Sequence, residues 1–547
     1  MARTPLLRAL QRLASEHNEA SARGIPVEEV RRLRRAEINR RDFLKSAGAV
    51  AAGLTLSGTL AGRALIAHAG SPPRIAIIGG GISGLNAALT LQDAGYASTI
   101  YEASSRVGGR MHSDTTSWAN GQTSEWCGEL IDTRHKTILQ LANRYGLDTV
   151  DLLQAQPMSS QDTYFFFNKY YLQKTADGDF QQVHNVLQGQ IQAAPFPTVY
   201  NSYTSAGYQL DHLSLYDWIE QYVTGGHSSN MGQLLDVAYN IEYGRETNVQ
   251  SSLNLVYLLG FQPKPGNFSI FGSSDERYHI IGGNQQLPTA IAASLPAGSV
   301  KLNWSMTAIA TNADGSYTLT FSTPSGNQQS TVDRVILTLP FSVLRTLDYS
   351  QAGFDSLKKT AITQLGYGTN SKLQLQFDTR FWNGTGAWPG ISDGNIYTDV
   401  GFQNTWDVTR GQPGTTGIVV DYTGGNIGAS YQPNGPYSYS SDPLVQQYAR
   451  NLLKQMEEVW PGATAHYNGT ATLSYPTGDP NLLGSYSCWL VGQYTLFSGY
   501  EKARQGKIHF GGEHCSINFQ GFMEGGAEEG ARAANEILTD YKNGIFP

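Results

Sequence analysis

Three glycines near the start of the chain have the spacing that allows a backbone loop to hold a dinucleotide. Gly79, Gly81 and Gly84 follow the apolar run IAII and precede a helical pattern. The first glycine permits a tight turn, the second allows close approach to a pyrophosphate, and the third lets helix and strand pack together. Glu102 follows a second apolar strand about 20 residues later, where a carboxylate accepts hydrogen bonds from ribose hydroxyls.

Short strands and amphipathic helices are predicted for the rest of the chain. Helices are expected at 85–94, 138–145, 213–223, 231–239 and 444–459, strands at 98–101, 300–309, 316–322 and 332–339, and a strand, glycine turn and helix within 277–295. Polar and apolar residues alternate over 372–377, which places Lys372, Gln374 and Gln376 on one face of a strand. One interpretation is a half-buried strand whose lysine faces solvent. The Gly-, Tyr-, Thr- and Asn-rich residues 383–440 suggest loops and sheet edges.

Composition favours a compact, exported enzyme of two domains. The 547 residues are too many for one ordinary core, and the chain has 60 Gly, 30 Tyr and only 15% charged residues. Cys127, Cys488 and Cys515 are too few and too scattered for a disulfide framework or a zinc site, so we expect no metal.

The first 69 residues differ in charge from the rest. They contain 12 Lys and Arg and 6 Asp and Glu, a net charge of +6; the whole chain has 38 and 45, so the remainder has 26 and 39, a net charge of −13. Residues 39–45 (NRRDFLK) resemble the twin-arginine export signature, and Ala67-His68-Ala69 offers a cleavage site. We expect a removable leader over 1–69 and a periplasmic or extracellular protein with no stable membrane span. The alternative is an uncleaved basic amphipathic anchor. The acidic remainder argues against a nucleic acid partner.

Several blocks, in order, resemble the flavin-containing amine oxidases, a family that includes monoamine, polyamine and L-amino-acid oxidases. The blocks are the glycine motif through RVGGR, HIIGGNQQLP, VDRVILTLP, SKLQLQFDTRFW, LGSYSCW, and HFGGEH followed by GFMEGGAEEG. The resemblance implies an α/β fold, with a Rossmann-like FAD-binding domain of the glutathione-reductase class interleaved with a mixed-sheet and helical substrate domain. The FAD-binding domain would comprise residues 70–125, 278–355 and 475–547, and the substrate-binding domain 126–277 and 356–474.

The resemblance also implies roles for individual residues. Lys372 would hold a water against flavin N5, while Tyr486 and Phe522 would flank the substrate amine, with Trp489 a weaker pocket candidate. Glu102 would bind the adenosine ribose, and Glu513 a ribitol hydroxyl. The cofactor-binding residues implied in total are Gly79, Gly81, Ser83, Gly84, Glu102, Ala103, Gly109, Arg110, Met306, Gly512, Glu513, Gly521, Phe522 and Met523. Residues 521–524 would run along the flavin, with a helix N-terminus just beyond.

Two departures from the family pattern bear on cofactor and substrate. Ser485 stands where monoamine oxidases carry the cysteine linked to the flavin, and Cys488 is three residues away, so we expect non-covalent FAD. The L-amino-acid oxidases grip the substrate carboxylate with an arginine in a G-P-M-R-like segment, and residues 128–131 (GELI) contain none. Arg134 is out of register. Glu129 favours a cationic amine or serves as a structural hydrogen-bonding group.

The predicted reaction is oxidation of the C–N bond of an amine or amino acid, with dioxygen as acceptor and hydrogen peroxide as a product. One alternative is an L-amino-acid oxidase or a decarboxylating amino-acid monooxygenase that uses an unaligned arginine for the carboxylate. Another is a flavin-binding scaffold without turnover. The expected partners are the small-molecule substrate, dioxygen and the twin-arginine translocase. A homodimer is compatible with the sequence, which does not determine the oligomeric state.

Overall fold

Strands and helices alternate along residues 73–262 and 268–545, the part of the chain that the computed structural model describes, and the predicted leader lies outside it. The strands are β1 (Ile75–Ile78), β2 (Thr99–Tyr101), β3 (Ser113–Asp114), β4 (Ser124–Glu125), β5 (Thr149–Asp151), β6 (Ser160–Phe166), β7 (Lys169–Tyr171), β8 (Tyr278–Ile280), β9 (Val300–Lys301), β10 (Ser305–Thr311), β11 (Tyr317–Thr323), β12 (Gly326–Val332), β13 (Arg334–Leu337), β14 (Asp348–Gln351), β15 (Gly366–Tyr367), β16 (Ser371–Phe377), β17 (Ile391–Thr398), β18 (Asn404–Asp407), β19 (Gly417–Thr423), β20 (Tyr437–Tyr439), β21 (Tyr467–Ser474), β22 (Ser487–Cys488) and β23 (Ile508–Phe510). The α-helices are α1 (Ile82–Asp93), α2 (Lys136–Arg144), α3 (Leu152–Ala155), α4 (Gln173–Ala193), α5 (Ser205–Asp211), α6 (Leu215–Tyr222), α7 (Asn230–Tyr243), α8 (Leu253–Leu259), α9 (Gln286–Ser294), α10 (Phe341–Leu344), α11 (Ser356–Gln364), α12 (Gly425–Ser430), α13 (Pro443–Val459), α14 (Ala463–His466), α15 (Gln493–Phe497) and α16 (Met523–Lys542).

The glycine motif belongs to a parallel sheet with the strand order β23-β13-β1-β2-β9. All four residues of β1 are buried, and α1 packs against the C-terminal helix α16 beside the sheet. Parallel strands covered by helices are buried on both faces, which explains why β1 and β13 are continuous apolar runs in the sequence. The predicted Rossmann-like unit is therefore confirmed.

Gly84 lies where α1 passes closest to the first strand. A Cβ at this position would lie 2.0 Å from the carbonyl oxygen of Gly79 and 3.1 Å from Cγ2 of Ile77. Real Cβ contacts are not that short, so only glycine lets the helix approach the loop this closely. The third glycine of the motif thus has the packing role that the spacing predicts.

A mixed sheet of eight strands, in the order β20-β21-β16-β19-β18-β17-β6-β7, forms the second framework. Its pairs are antiparallel except β17 with β6. One face carries Leu373 and Leu375 into an apolar core that α13 covers with residues such as Leu452. The amphipathic pattern of α13 is explained by this packing.

The other face of this sheet carries a row of polar and aromatic side chains across six strands. Residues that oppose each other directly in an antiparallel ladder point to the same face. Successive pairs therefore align one cross-strand row: Tyr437, Ser474, Lys372, Tyr422, Asn404 and Tyr397. The row places residues from widely separated parts of the sequence along one line.

Several sequence-based expectations need correction. The prediction of loops and sheet edges for 383–440 holds for only part of the segment. β20 is an edge strand, but β17, β18 and β19 are inner strands of the eight-stranded sheet and β19 is almost fully buried. The alternative to a functional Lys372, a solvent-facing lysine on a half-buried strand, is wrong, since every residue of β16 is buried. The strand expected over 300–309 is two strands that belong to different sheets, β9 and β10.

The described residues from Pro73 onward pack as one compact unit. The division into an FAD-binding and a substrate-binding domain therefore stays a prediction, although the two sheets offer a framework for each. Helices α4 and α7 pack against the eight-stranded sheet, and α5, α6 and α8 pack on these two helices. Strands β10 to β12 with β14 form a separate four-stranded sheet. Within the described ranges, no helix combines the length and apolar character needed to cross a membrane.

Adding one methyl group at Gly84 is expected to destabilise the protein. Gly84→Ala should lower the free energy of unfolding by about 1–3 kcal/mol, because the Cβ meets a backbone carbonyl that cannot move aside. Denaturant unfolding followed by circular dichroism measures the change. Gly189→Ala is the matched control: Gly189 lies in the interior of α4 with no atom within 4 Å of the added Cβ, so stability should rise by about 0.5–1 kcal/mol. Equal effects of the two substitutions would contradict this account.

Candidate active site

One cavity of about 830 Å³ brings the two glycine-rich ends of the sequence together with the cross-strand row. Of the residues predicted to bind the cofactor, the following line this cavity: Gly79, Gly81, Ser83, Glu102, Ala103, Gly109, Arg110, Met306, Gly512, Glu513, Gly521, Phe522 and Met523. Gly84 does not line it and acts in packing. Lys372 and Tyr486, predicted as catalytic, lie in the same cavity as the predicted cofactor residues.

The Glu102 carboxylate is positioned by the glycine loop. Its Oε2 accepts a hydrogen bond from the backbone N–H of Gly80 at 2.6 Å, and its Oε1 accepts from the N–H and hydroxyl of Ser104 at 2.8 and 2.7 Å. A carboxylate has about four lone-pair sites, so acceptor capacity remains toward the cavity. This arrangement fits a ribose hydroxyl.

The first turn of α1 directs hydrogen-bond donors at the cavity. Gly81 is the N-cap and no side chain caps the helix, so the N–H groups of this turn and their partial positive charge need an external acceptor. Ser83 Oγ is buried and has no hydrogen-bond partner among the described residues. A Cβ on Gly81 would meet nothing closer than Gly108 O at 4.0 Å. Donors and open space together fit the phosphates of a dinucleotide.

An ion pair between Arg110 and Glu513 joins the N-terminal motif to the C-terminal segment. Arg110 Nη1 lies 2.9 Å from Glu513 Oε1. Glu513 also accepts from the hydroxyl of Ser487 at 2.6 Å and from the N–H of Gly521 at 2.9 Å. Burial raises the pKa of Glu513, but the charge of Arg110 and the hydrogen bonds from Ser487 and Arg110 contribute to a larger opposite effect, so the pKa is below its ordinary value. The carboxylate thus holds one wall of the cavity together.

Helix α16 starts at this wall, as predicted, but Glu524 does not line the cavity. Its carboxylate accepts from the backbone N–H groups of Thr137 and Ile138 at 2.8 and 2.9 Å, at the start of α2. An acid at a helix N-terminus satisfies orphan donors and favours the helix dipole. The expectation that residues 521–524 all follow the flavin is therefore corrected: 521–523 line the cavity and Glu524 supports a neighbouring helix.

Lys372 forms a buried ion pair with Glu129. The Nζ to Oε2 distance is 2.7 Å, and only 5% of Lys372 is exposed. Trp406 Nε1 donates to the other oxygen of Glu129 at 2.9 Å. Burial raises the pKa of Glu129. The charge of Lys372, and after it that of His279, lower this pKa, and together with the hydrogen bonds they outweigh burial, so the net shift is downward. Glu129 is thus the partner of Lys372 rather than an anion available for a cationic substrate.

The two predicted aromatic residues are held by different contacts. The hydroxyl of Tyr486 donates to the backbone oxygen of Glu242 at 2.7 Å and lies 2.9 Å from the hydroxyl of Tyr422, a member of the cross-strand row. The ring of Phe522, at the N-cap of α16, lies 5.1 Å from the ring of His135. Both rings line the cavity in fixed positions.

Trp489 is not a pocket residue. Its ring is buried against Tyr494 and Phe497, away from the cavity lining, which corrects the weaker candidate from the sequence. Cys488 is likewise buried and outside the lining, whereas Ser485 and Cys127 line the cavity. All three cysteines are free thiols.

Residues 82–538 match the model of a family described as flavin containing amine oxidoreductases. The chain belongs to this family. This amine oxidoreductase is therefore an enzyme that uses a flavin and acts on small molecules. Residues 37–57 match the twin-arginine translocation signal sequence, so the predicted export by that route, to the periplasm or beyond, is confirmed.

Proteins similar to this amine oxidoreductase match it along most of their length. Polyamine oxidase 4 of Oryza sativa subsp. japonica is 25% identical over 513 residues, which cover 85% of this chain and 88% of that protein. An L-amino-acid oxidase of Sistrurus catenatus edwardsii is 24% identical over 493 residues, covering 86% and 88%. The structure of cyclohexylamine oxidase from Brevibacterium oxydans IH-35A has a TM-score of 0.71 at 19% identity, covering 86% and 100%. The predicted fold is thereby confirmed.

Glu242, Glu276 and Arg410 are among the ionisable residues of the cavity that no sequence motif marks. Glu242 lies at the C-terminal turn of α7, and Arg410 follows β18. The carboxyl groups of Glu242 and Glu276 accept no hydrogen bond from any described residue. Burial, then the neighbouring Glu276, raise the pKa of Glu242 well above its ordinary value, and burial followed by Asp132 raises that of Glu276 to about 8. No motif marks these three residues, because the pairing of distant strands, and not local spacing, brings them together in the cavity.

Removing one partner of the Lys372–Glu129 pair should cost far more than removing both. Lys372→Met is expected to lower the free energy of unfolding at pH 7 by about 3–5 kcal/mol, because Glu129 is left as a buried charge without its partner. Lys372→Met with Glu129→Gln should recover much of this loss. The exposed lysine on α13, in Lys454→Met, is the matched control. Denaturant unfolding of the four proteins tests the expectation; a double variant that is no more stable than Lys372→Met would contradict it.

The deficit of Lys372→Met should also depend on pH. The pKa of Glu129 in the folded protein is below its ordinary 4.5, so the pair contributes its full stability above pH 4.5 and loses it as the pH falls through the lower folded value. In the variant the charge of Lys372 no longer opposes burial, and only His279 and the Trp406 hydrogen bond still lower the pKa of Glu129. A protonated Glu129 needs no counter-charge. The stability difference between wild type and variant should therefore shrink from pH 7 to pH 4. A constant difference would refute the assignment.

Proposed function

We propose that this protein is a FAD-dependent oxidase that converts the C–N bond of a small amine or amino acid to an imine, with dioxygen as the acceptor and hydrogen peroxide as a product. The observation that carries the proposal is the meeting of the glycine loop, the C-terminal segment and the buried Lys372–Glu129 pair in one cavity. The relatives are named as oxidases of polyamines, L-amino acids and cyclohexylamine, and these names support the same reaction class.

The proposed cofactor is FAD, bound without a covalent link. A bound FAD supplies the two-electron acceptor for oxidation of the C–N bond. The α1 N-terminus with Ser83 would hold its phosphates and Glu102 a ribose hydroxyl, while residues 521–523 would lie along the ring system. Ser485 carries a hydroxyl rather than a thiol at the position that links the flavin in monoamine oxidases, and it donates to Asn370 Oδ1 at 2.6 Å.

Lys372, Tyr486 and Phe522 are the proposed reaction-site residues. Lys372 has three N–H groups, and the one directed at Glu129 leaves two for a water molecule held in the cavity. The ring of Tyr486 is fixed by its hydroxyl, so it presents an apolar face whose orientation does not change with the substrate. Two fixed aromatic rings restrict how a small amine lies in the cavity and limit the reaction to a narrow set of orientations.

The flavin should be released when the protein is denatured. Acid precipitation of the purified yellow protein is expected to leave the yellow colour in the supernatant, where mass spectrometry should detect intact FAD. Precipitation after treatment with a thiol-blocking reagent is the control for a link to Cys127, the thiol that lines the cavity. Colour retained in the protein pellet would contradict non-covalent binding, and release of FMN would contradict FAD.

Peroxide release is the direct test of the proposed reaction. The purified protein should produce hydrogen peroxide with at least one substrate from a panel of primary amines, polyamines and L-amino acids, with oxygen consumed in equal amount. Lys372→Met should lower turnover by about 100-fold or more while FAD stays bound. Lys454→Met serves again as the control.

The outcomes separate the candidate activities. An amide product with little peroxide would indicate a monooxygenase, and no turnover across the panel with FAD bound would indicate a flavoprotein of another function. Unchanged turnover in Lys372→Met would refute the role assigned to that lysine.

A further inference from the structure

Arg410 reaches the cavity from the end of β18, in a segment that the sequence does not mark as functional. Only 8% of the residue is exposed, and it lines the cavity. The Asp407 carboxylate accepts from the N–H of Thr409 at 2.7 Å and from its hydroxyl, which fixes the turn before the arginine. Arg410 Nε donates to the backbone oxygen of Asp407 at 3.2 Å. One edge of the guanidinium is thus anchored to the chain.

The terminal nitrogens of Arg410 have no hydrogen-bond partner in the described parts of the chain. Four lysine or arginine side chains line the cavity: Arg106, Arg110, Lys372 and Arg410. Arg110 and Lys372 form the ion pairs described above, and Arg106 donates to two backbone carbonyl oxygens. Arg410 differs from these three because both terminal nitrogens of its guanidinium group are available to bind a ligand.

The carboxyl groups near Arg410 do not form an ion pair with it within 4 Å among the described residues. Glu276 and Asp393 are close enough for the arginine to lower their pKa values, but burial acts more strongly and raises them to about 8 and about 7. Both carboxyl groups therefore keep their protons to a higher pH than an ordinary carboxyl group does, which weakens them as counter-charges for Arg410. The Asp407 carboxylate, whose pKa burial raises against the charge of Arg410, accepts from Thr409 and not from the guanidinium. A buried guanidinium whose terminal nitrogens contact no carboxylate carries a desolvation cost, which a bound anion would offset.

We propose that Arg410 is the receptor for a substrate carboxylate, so that the amine oxidised here is the α-amino group of an amino acid. This inference rests on the proposed function and narrows its substrate class. A guanidinium matches the two oxygens of a carboxylate with two parallel hydrogen bonds. Residues 128–131 lack the arginine that L-amino-acid oxidases use for this purpose, and Arg410 supplies an equivalent charge from the eight-stranded sheet.

The reaction that follows is balanced with dioxygen as the oxidant. The α C–H bond and one N–H bond are broken to give the imine and two reducing equivalents, which reduce dioxygen to hydrogen peroxide. Water then adds to the imine and releases ammonia. One amino acid, one dioxygen and one water therefore give one 2-oxo acid, one ammonia and one hydrogen peroxide, while the carboxylate stays bound to Arg410.

Binding of a simple carboxylate tests the receptor without requiring turnover. Benzoate and its neutral analogue benzamide are titrated into the flavin-loaded protein by calorimetry. Benzoate should bind, and Arg410→Met should weaken it by about 100-fold or more, whereas Arg410→Lys, which keeps the charge but not the fork, should weaken it by about 10-fold. Benzamide should bind weakly and equally to all three proteins. Arg450→Met, at an exposed arginine on α13, is the control and should not differ from wild type.

Kinetics with a matched pair of substrates tests the substrate class. Wild-type protein should oxidise L-phenylalanine with a higher kcat/KM than phenylethylamine, which has the same side chain and amine but no carboxylate. Arg410→Met should lower kcat/KM for L-phenylalanine by about 100-fold or more, and change that for phenylethylamine by less than about threefold. If Arg410→Met loses its flavin, Arg410→Lys provides the comparison.

The two experiments fail in distinguishable ways. Benzoate binding that depends on Arg410 in a protein without oxidase activity would refute the proposed function and leave the anion receptor standing. Equal benzoate affinity in wild type and Arg410→Met, or no binding by either, would overturn the receptor. Oxidation of diamines in preference to amino acids would also overturn it, and would direct attention to Glu242 and Glu276 as partners of a second amino group.

Discussion

The buried ion pair of Lys372 and Glu129 is the contact on which the cavity depends. Each charge loses several kcal/mol of hydration when it is buried, and only close pairing with further hydrogen bonds offsets that loss. Glu129 meets this demand by accepting from Lys372 and from Trp406. Because Glu129 follows the glycine motif and Lys372 lies in the middle of the eight-stranded sheet, the pair also fixes the position of one sheet system against the other.

The two sheets contribute to the cavity in different ways. The parallel sheet contributes mainly backbone, through the glycine loop and the first turn of α1, and this suits a cofactor with phosphates and ribose hydroxyls. The eight-stranded sheet contributes side chains, because one row across six strands projects into the cavity while the opposite face is buried under α13. Recognition of the substrate can thus vary through side chains without disturbing the cofactor loop.

The features that depend on local spacing could be predicted from the sequence. Gly79, Gly81, Gly84 and Glu102 occur within one short strand-loop-helix-strand unit, so their geometry follows from their spacing. Local spacing alone did not predict the burial of Lys372, although the family resemblance implied its role, because residues 119–129 that cover its face of the strand are some 250 positions away. The position of Arg410 in the cavity could not be predicted for the same reason. Its turn and its strand β18 lie in a Gly- and Tyr-rich segment whose inner position in the sheet depends on pairing with β17 and β19.

The order of strands in the parallel sheet has a consequence for how the cofactor is acquired. β1 pairs with β13, about 260 residues later, and β13 pairs with β23, which is followed by the wall from Gly512 to Gly526. Contacts between such distant segments form late, after the intervening chain has been made. A ribosome-bound chain therefore has the complete glycine loop but not the cavity, and a chain cut before residue 512 retains the motif yet lacks the site. If the flavin binds in this cavity as proposed, only a chain that includes this wall can take up the flavin before the protein is passed to a translocase that carries folded proteins.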